Sequence, residues 1–237
     1  HAIKSPPNFR TFVRPFTFFS HKFGMLKWKL AQQLELLWWK NYLRRKSPAD
    51  YLVWKRRYWQ NFLQNLALQL PPICDVLDAG CGPAGIFTIL EQQKVVAIDP
   101  LLAHYAEQLS PHFTTAAYPH VRFEDCRLED INYQQSFDYI FCIYAINHVS
   151  DLPLALARLS AALRPNATLV LSTDVHNHNF FKHLFRLLPL DALHPHQFDL
   201  AEYRQQLPND LHVVQEINYQ QAFVFDYYVW ILQKNSH

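Results

Sequence analysis

Residues 73–86 read Ile-Cys-Asp-Val-Leu-Asp-Ala-Gly-Cys-Gly-Pro-Ala-Gly-Ile, and the fold is decided here. Val76 and Leu77 open the stretch as a buried strand, and Asp78 closes that strand with a carboxylate. Gly80, Gly82 and Gly85 follow; the chain has 4 glycines in all, so this cluster is not loop filler. It marks a tight turn where the backbone must approach something closely. Residues 86–90 can then start a helix, expected over 84–92, whose first amides point back at the turn. The spacing fits G-x-G-x-x-G, a dinucleotide fingerprint. Asp78 argues against a dinucleotide, because its charge would face a pyrophosphate; an ammonium group suits that place. Residues 95–99, Val-Val-Ala-Ile-Asp, form a second buried strand ending in an acid. Asp99 stands 19 residues past Gly80, where a ribose-binding carboxylate belongs.

Working outward, strands and helices alternate from residue 73, which implies a parallel sheet with helices on both faces. Strands are expected at about 74–79, 94–99, 121–125, 137–143 and 168–173, with helices at about 101–109 and 152–164. Further helices are expected near 178–187 and 199–206, and closing strands near 212–219 and 222–233.

Several motifs in order carry a family resemblance. Val-Leu-Asp-Ala-Gly-Cys-Gly-Pro-Ala-Gly resembles the first motif of class I S-adenosylmethionine-dependent methyltransferases, with Ala84 at the third family glycine. Ile98-Asp99-Pro100 resembles their ribose-binding strand end, and Phe123-Glu124-Asp125-Cys126 their adenine-contacting motif. Residues 137–142 followed by Asn147-His148-Val149-Ser150-Asp151 resemble the fourth-strand motif and its tail; Leu163-Arg164-Pro165-Asn166 has Asn166 in place of turn glycines. The resemblance covers roughly residues 72–175. It implies an α/β, doubly wound, mostly parallel seven-stranded sheet with an antiparallel C-terminal strand, S-adenosylmethionine as cofactor and a small-molecule acceptor. Asp78, Gly80, Cys81 and Gly82 would hold the amino-acid end, Asp99 and Pro100 the ribose, Asp125, Cys126 and Arg127 the adenine, and Cys142 and Ile143 the methionine part.

Residues 1–70 match no motif of the family and form an expected N-terminal helical extension; residues 71–237 are the expected Rossmann-like domain. Pro6, Pro7 and Pro15 break any periodicity in the first twenty residues. Apolar positions then recur at helical steps over 21–45, and Ser47-Pro48 starts a second helix running to about 69. This extension holds 13 Lys/Arg against Glu35 and Asp50, a net +11, while the rest of the chain carries −9. The two parts must dock or face different partners. Three readings stand for the basic, aromatic extension: a lid over the acceptor pocket, a membrane-surface element using Trp28, Trp38 and Trp39, or a nucleic-acid face. The density of aromatic residues favours an apolar pocket and makes nucleic acid the least favoured partner. No apolar run reaches the length of a membrane span, and the N-terminus lacks a signal-peptide core. A start at His1 without methionine leads us to expect a trimmed or replaced N-terminal piece. Cys74, Cys81, Cys126 and Cys142 form no C-x-x-C pair, and are expected to be reduced, buried thiols of a cytoplasmic protein.

Methyl transfer from a sulfonium needs alignment and exclusion of water; a hydroxyl or carbon acceptor also needs a base. His148 is the leading candidate, helped by Tyr144 and Asn147, against the plainer role of packing and capping the next helix. His176/His178 and His194/His196 are His-x-His pairs on the rim beyond the fifth strand. Acceptor contact is preferred for them over a metal, since no cysteine or glutamate stands beside them at metal spacing. Two other classes remain open: a non-catalytic binding module serving a partner through its basic helices, and a dehydrogenase using the same glycine turn.

Overall fold

The structure is a computed structural model that describes residues 17–176, 198–221 and 225–236. Side chains of the first helix are described from Leu30 onward. Two helices lead, α1 (Thr17–Leu43) and α2 (Pro48–Asn65). Then come β1 (Asp75–Ala79), β2 (Lys94–Ile98), α3 (Leu102–Gln108), β3 (Val121–Glu124), β4 (Phe137–Cys142), α4 (Leu152–Ala162) and β5 (Leu163–His176). The chain closes with α5 (Leu200–Gln206), β6 (Leu211–Gln220) and β7 (Phe225–Lys234).

The seven strands form one sheet in the order β3-β2-β1-β4-β5-β7-β6. Strands β1 to β5 pair in parallel, and β7 runs antiparallel between β5 and β6. The order reverses at β1, so the carboxyl ends of β1 and β4 open a crevice there. Successive side chains on a strand point to opposite faces, and the apolar pairs Val76/Leu77, Ala97/Ile98, Phe141/Ile140 and Val170/Leu169 feed two cores. One core lies under α4, with Ala155, Leu156 and Leu159 fully covered. The other lies under α2 and α3, where Tyr51, Trp59, Phe62 and Leu66 join Val76, Phe141 and Val170. At the amino ends of the strands Arg164 bridges Asp75 and Asp138, at 2.8 Å to each.

The helix expected over 84–92 is absent. Two short 3₁₀ turns stand there, Gly82–Ala84 and Ile86–Ile89. Only eight residues separate Gly85 from β2, and Leu90 leaves the helical region at φ −98°, ψ 67°. Ile86, Phe87 and Thr88 are all buried, so the apolar run has no solvent face to give a helix. The place beside the glycine turn is taken by α2, whose Trp59 Nε1 donates to the Ala84 carbonyl at 2.9 Å. Helix α2 starts as expected, with Ser47 capping and Pro48 in the first turn. It ends at Asn65 rather than near 69, because Ala67 turns left-handed at φ 50°. Its amide bonds Gln64 O and that of Leu68 bonds Leu63 O, the paired pattern of a Schellman stop. The helix expected near 178–187 lies outside the described residues.

Candidate active site

The cavity that matters is about 330 Å³ in volume and sits where the sheet order reverses. Its floor is the glycine turn, Gly80 to Ala84, with Asp99 and Pro100 from the end of β2. Cys126 and Arg127 line it after β3, and Ile143, Tyr144 and His148 after β4. The remaining wall comes from the N-terminal helices: Glu35, Trp38 and Trp39 from α1, Lys55, Tyr58 and Trp59 from α2.

Backbone chemistry shapes the turn. Gly80 sits at φ 76° and Gly82 at φ 55°. The amides of Gly80 and Cys81 both donate to the Ile98 carbonyl, at 2.8 and 3.0 Å, which ties the turn to β2. A Cβ on Gly80 would come within 2.2 Å of the Ala145 Cβ, so glycine lets the two loops meet. Asp99, 7% exposed, accepts from the Gly82 amide on Oδ2 at 3.0 Å and from the Leu101 amide on Oδ1 at 2.9 Å. Each oxygen keeps a further lone pair. Burial pushes the Asp99 carboxyl up, and the charge of Glu35 adds to it.

Asp78 does not line the cavity. It is buried behind the turn, with Oδ2 accepting from the Phe87 amide at 3.0 Å. A Cβ on Gly85 would meet that Oδ2 at 2.3 Å, so Gly85 makes room for a structural carboxylate. Burial raises its pKa to about 7, against the pull of the Phe87 and Ile86 amides and of Lys55. Asp125 is exposed and lies outside the cavity lining, where it accepts from the Ala103 amide of α3 at 3.4 Å. Cys142 is fully buried behind Ile143, and its thiol pKa is raised by burial. All four cysteines are free.

Of the expected base and its helpers, His148 and Tyr144 line the cavity. Asn147 is buried outside it, and its Oδ1 has no hydrogen-bond partner among the described residues. Tyr144 holds a left-handed backbone at φ 56° and stacks on Tyr227 at 4.0 Å, nearly parallel. Its amide bonds Ser172 Oγ, to which Tyr227 also donates, at 2.7 Å. Burial raises the pKa of both rings, and lifts Tyr58 to about 12, so these phenols stay protonated donors at neutral pH. Arg127 is held by Asp130 through two bonds, at 2.6 and 2.9 Å. The side chain of His176, and all of His178, His194 and His196, lie outside the described residues.

Lys55 and Glu35 were missed from sequence. The Lys55 ammonium lies 5.6, 5.1 and 5.2 Å from the rings of Trp54, Tyr58 and Trp59. Burial lowers its pKa to about 8. The signal was present, as a lysine among aromatics one before and three and four after it on a helix. Glu35 accepts from the buried Tyr105 hydroxyl at 3.1 Å. Its signal was weaker: one of two acids in a +11 segment.

Comparison with known proteins places this geometry. A family model described as a methyltransferase domain matches residues 51–216, well over half of the chain. The chain belongs to the methyltransferase-domain family. The match begins inside α2, upstream of the glycine turn. Among curated relatives, a ubiquinone biosynthesis O-methyltransferase of Rhodopseudomonas palustris (strain HaA2) is 30% identical over 148 residues, 58% of this chain and 56% of the relative. The chain thus spans about half the length of the curated relatives it matches. Among solved structures, the Burkholderia thailandensis 1,6-didemethyltoxoflavin-N1-methyltransferase, bound to 1,6-didemethyltoxoflavin and S-adenosylhomocysteine, overlays with a TM-score of 0.56 at 18% identity. That overlay covers 99% of this chain and 98% of the other. The N-methyltransferase NodS of Bradyrhizobium japonicum, with S-adenosylhomocysteine, gives a TM-score of 0.54 at 13% identity, over 76% and 86% of the two chains. These overlays bear on the fold: the methyltransferase-domain sheet, with its one antiparallel strand, is the one expected from sequence.

Proposed function

We propose that this chain is an S-adenosylmethionine-dependent methyltransferase acting on a small aromatic or lipophilic acceptor by in-line transfer. The observation that carries the reading is one cavity in which the glycine turn and a buried Asp99 meet aromatic walls. The cofactor's groups fit what is there. Asp99 has lone pairs left for ribose hydroxyls, Cys126 and Arg127 offer backbone to adenine, and Gly80 to Gly82 leave room for the amino-acid end. The bound cofactor would supply an activated methyl on a sulfonium. The chain's own residues orient the partners and keep water out: Trp38, Trp39, Tyr58 and Trp59 wall the cavity, and Tyr144 is held rigidly at its rim. His148 and Lys55 both face the cavity as groups able to take an acceptor proton. That the curated relatives are O-methyltransferases supports oxygen as the methylated atom. His176, His178, His194 and His196 remain our candidates for acceptor contact.

A titration separates this from the other two classes. S-adenosylhomocysteine should bind, and nicotinamide dinucleotides should not; binding of neither would leave a non-catalytic module. Asp99→Ala should weaken S-adenosylhomocysteine at least about tenfold, as lost charge-assisted bonds imply. An unchanged affinity by calorimetry would remove Asp99 from the ribose.

The outer face of the N-terminal helices supports membrane-surface contact as a second reading. Leu30, Leu34 and Leu37 share one exposed stripe of α1, with Val53 and Trp54 exposed on α2. No helix among the described residues is long and apolar enough to cross a membrane. A cytoplasmic protein that touches a lipid surface fits both facts; flotation with anionic vesicles, and none with zwitterionic ones, is the expected result.

A further inference from the structure

Helix α1 places an acid where one is already present. Glu35 lines the same cavity as Asp99; burial raises the Asp99 carboxyl most, and the charge of Glu35 adds to it. Two carboxylates lining one cavity repel, and a cation would relieve them. Neither cationic side chain on the cavity wall pairs with Glu35: Arg127 is bound by Asp130, and Lys55 lies over three aromatic rings. No cation pairs with Glu35 among the described residues. Glu35 is nonetheless held in place, since the fully buried Tyr105 donates its hydroxyl to Oε1 at 3.1 Å. Asp99 already accepts one amide on each oxygen, so it has one good direction left per oxygen. Two carboxylates lining one cavity, each with lone pairs left over, suit a ligand that brings two donors close together. A vicinal diol does this without adding charge. Among the described residues no group of three His, Cys, Asp or Glu side chains is placed to hold a metal.

We propose that Glu35 is a second hydroxyl acceptor for the cofactor's ribose, sharing the diol with Asp99, so that α1 is a wall of the cofactor site. The proposal rests on the methyltransferase reading and deepens it. It also moves the work of the N-terminal extension from the acceptor, where the sequence alone put it, to the cofactor. Trp39 agrees with this placement: a Cβ on Gly82 would come within 3.9 Å of its ring, so α1 lies directly over the glycine turn.

The test is calorimetry on the full chain with S-adenosylhomocysteine and its 2′-deoxy and 3′-deoxy analogues. Glu35→Ala should weaken S-adenosylhomocysteine roughly ten- to a hundredfold. One deoxy analogue should bind Glu35→Ala as well as it binds the parent, because the hydroxyl that Glu35 takes is already missing. Glu35→Gln, which keeps the shape, should show the same selectivity with a smaller loss. Amide exchange over residues 30–43 should slow when S-adenosylhomocysteine binds the parent, and slow less in Glu35→Ala. An equal loss for all three ligands would reduce Glu35 to a helix anchor and overturn the proposal. No loss at all would overturn it too. So would a loss seen only with Mg²⁺ present, which would give the two acids to a metal. If the parent binds none of the three ligands, the methyltransferase reading itself falls and this proposal with it.

Discussion

Asp78 and Asp99 are buried acids at the carboxyl ends of neighbouring strands, yet they do different things. Asp78 holds the turn from behind; Asp99 holds it from the cavity side. The Asp78 carboxyl goes from an ordinary 3.8 to about 7 on folding, because burial outweighs its amide bonds. A raised folded pKa means that the folded state holds the proton more tightly. The stabilisation is complete below about pH 4 and is lost as pH rises through about 7. We therefore expect the unliganded protein to lose roughly a few kcal/mol from Asp78 across that window. Asp78→Asn should flatten the slope of melting temperature against pH between about 4.5 and 7.5. An unchanged slope would mean that Asp78 is ionised throughout. Asp99 was legible because its distance from Gly80 is set by the βαβ unit. Asp125 was legible as a strand-end acid, but not as the partner of an α3 amide. Sequence spacing gives the strand end and says nothing about which lone pairs the local backbone consumes.

Elements follow the same division between pattern and space. The seven strands sit close to their expected places, because apolar runs bounded by turns carry their own signal. Residues 84–92 misled, since a short apolar run reads alike as helix or as buried turn. What excluded the helix was α2, a neighbour from outside the local window. The end of α2 misled for another reason: Ala67 is a good helix former placed in a left-handed stop. Asn166, at φ 63°, shows the reverse, a residue type that tolerates a left-handed turn without being glycine. Ala67→Gly should relieve that conformation and stabilise the protein by roughly 0.5–1 kcal/mol, net of the extra freedom glycine has when unfolded. A drop in melting temperature would contradict the left-handed assignment. Gly85→Ala should do the opposite. Its Cβ would press on Asp78 Oδ2 and the Cys81 carbonyl, 2.3 and 2.6 Å away. Overpacking of this kind costs about 1–3 kcal/mol. Urea unfolding measures both.

At the scale of the whole molecule, the charge split between residues 1–70 and the remainder was legible, and docking was one of the two outcomes it allowed. The depth of the docking was not. Tyr51, Trp59, Phe62 and Leu66 are buried in the same core as the sheet, and the family match itself begins at residue 51. Composition reports that a helix is aromatic; only packing shows that the sheet needs those rings. We expect a chain starting at Ser47 to fold and to bind S-adenosylhomocysteine weakly, having lost α1. One starting at Pro71 should lose cooperative unfolding and bind a hydrophobic dye, because the part of the sheet face that α2 covers would be bare. Cooperative melting of the shorter chain, followed by circular dichroism, would refute this. The seat of α2 on that face also bears on biosynthesis. Translation is vectorial, so this helix leaves the ribosome before any strand that it must cover. From Leu66 to Val170, on the last of the parallel strands it packs with, the ribosome adds 104 residues, roughly five to twenty seconds at ordinary elongation rates. For that interval a tryptophan-rich surface waits without its sheet, which makes the nascent chain a client for chaperones that bind apolar segments.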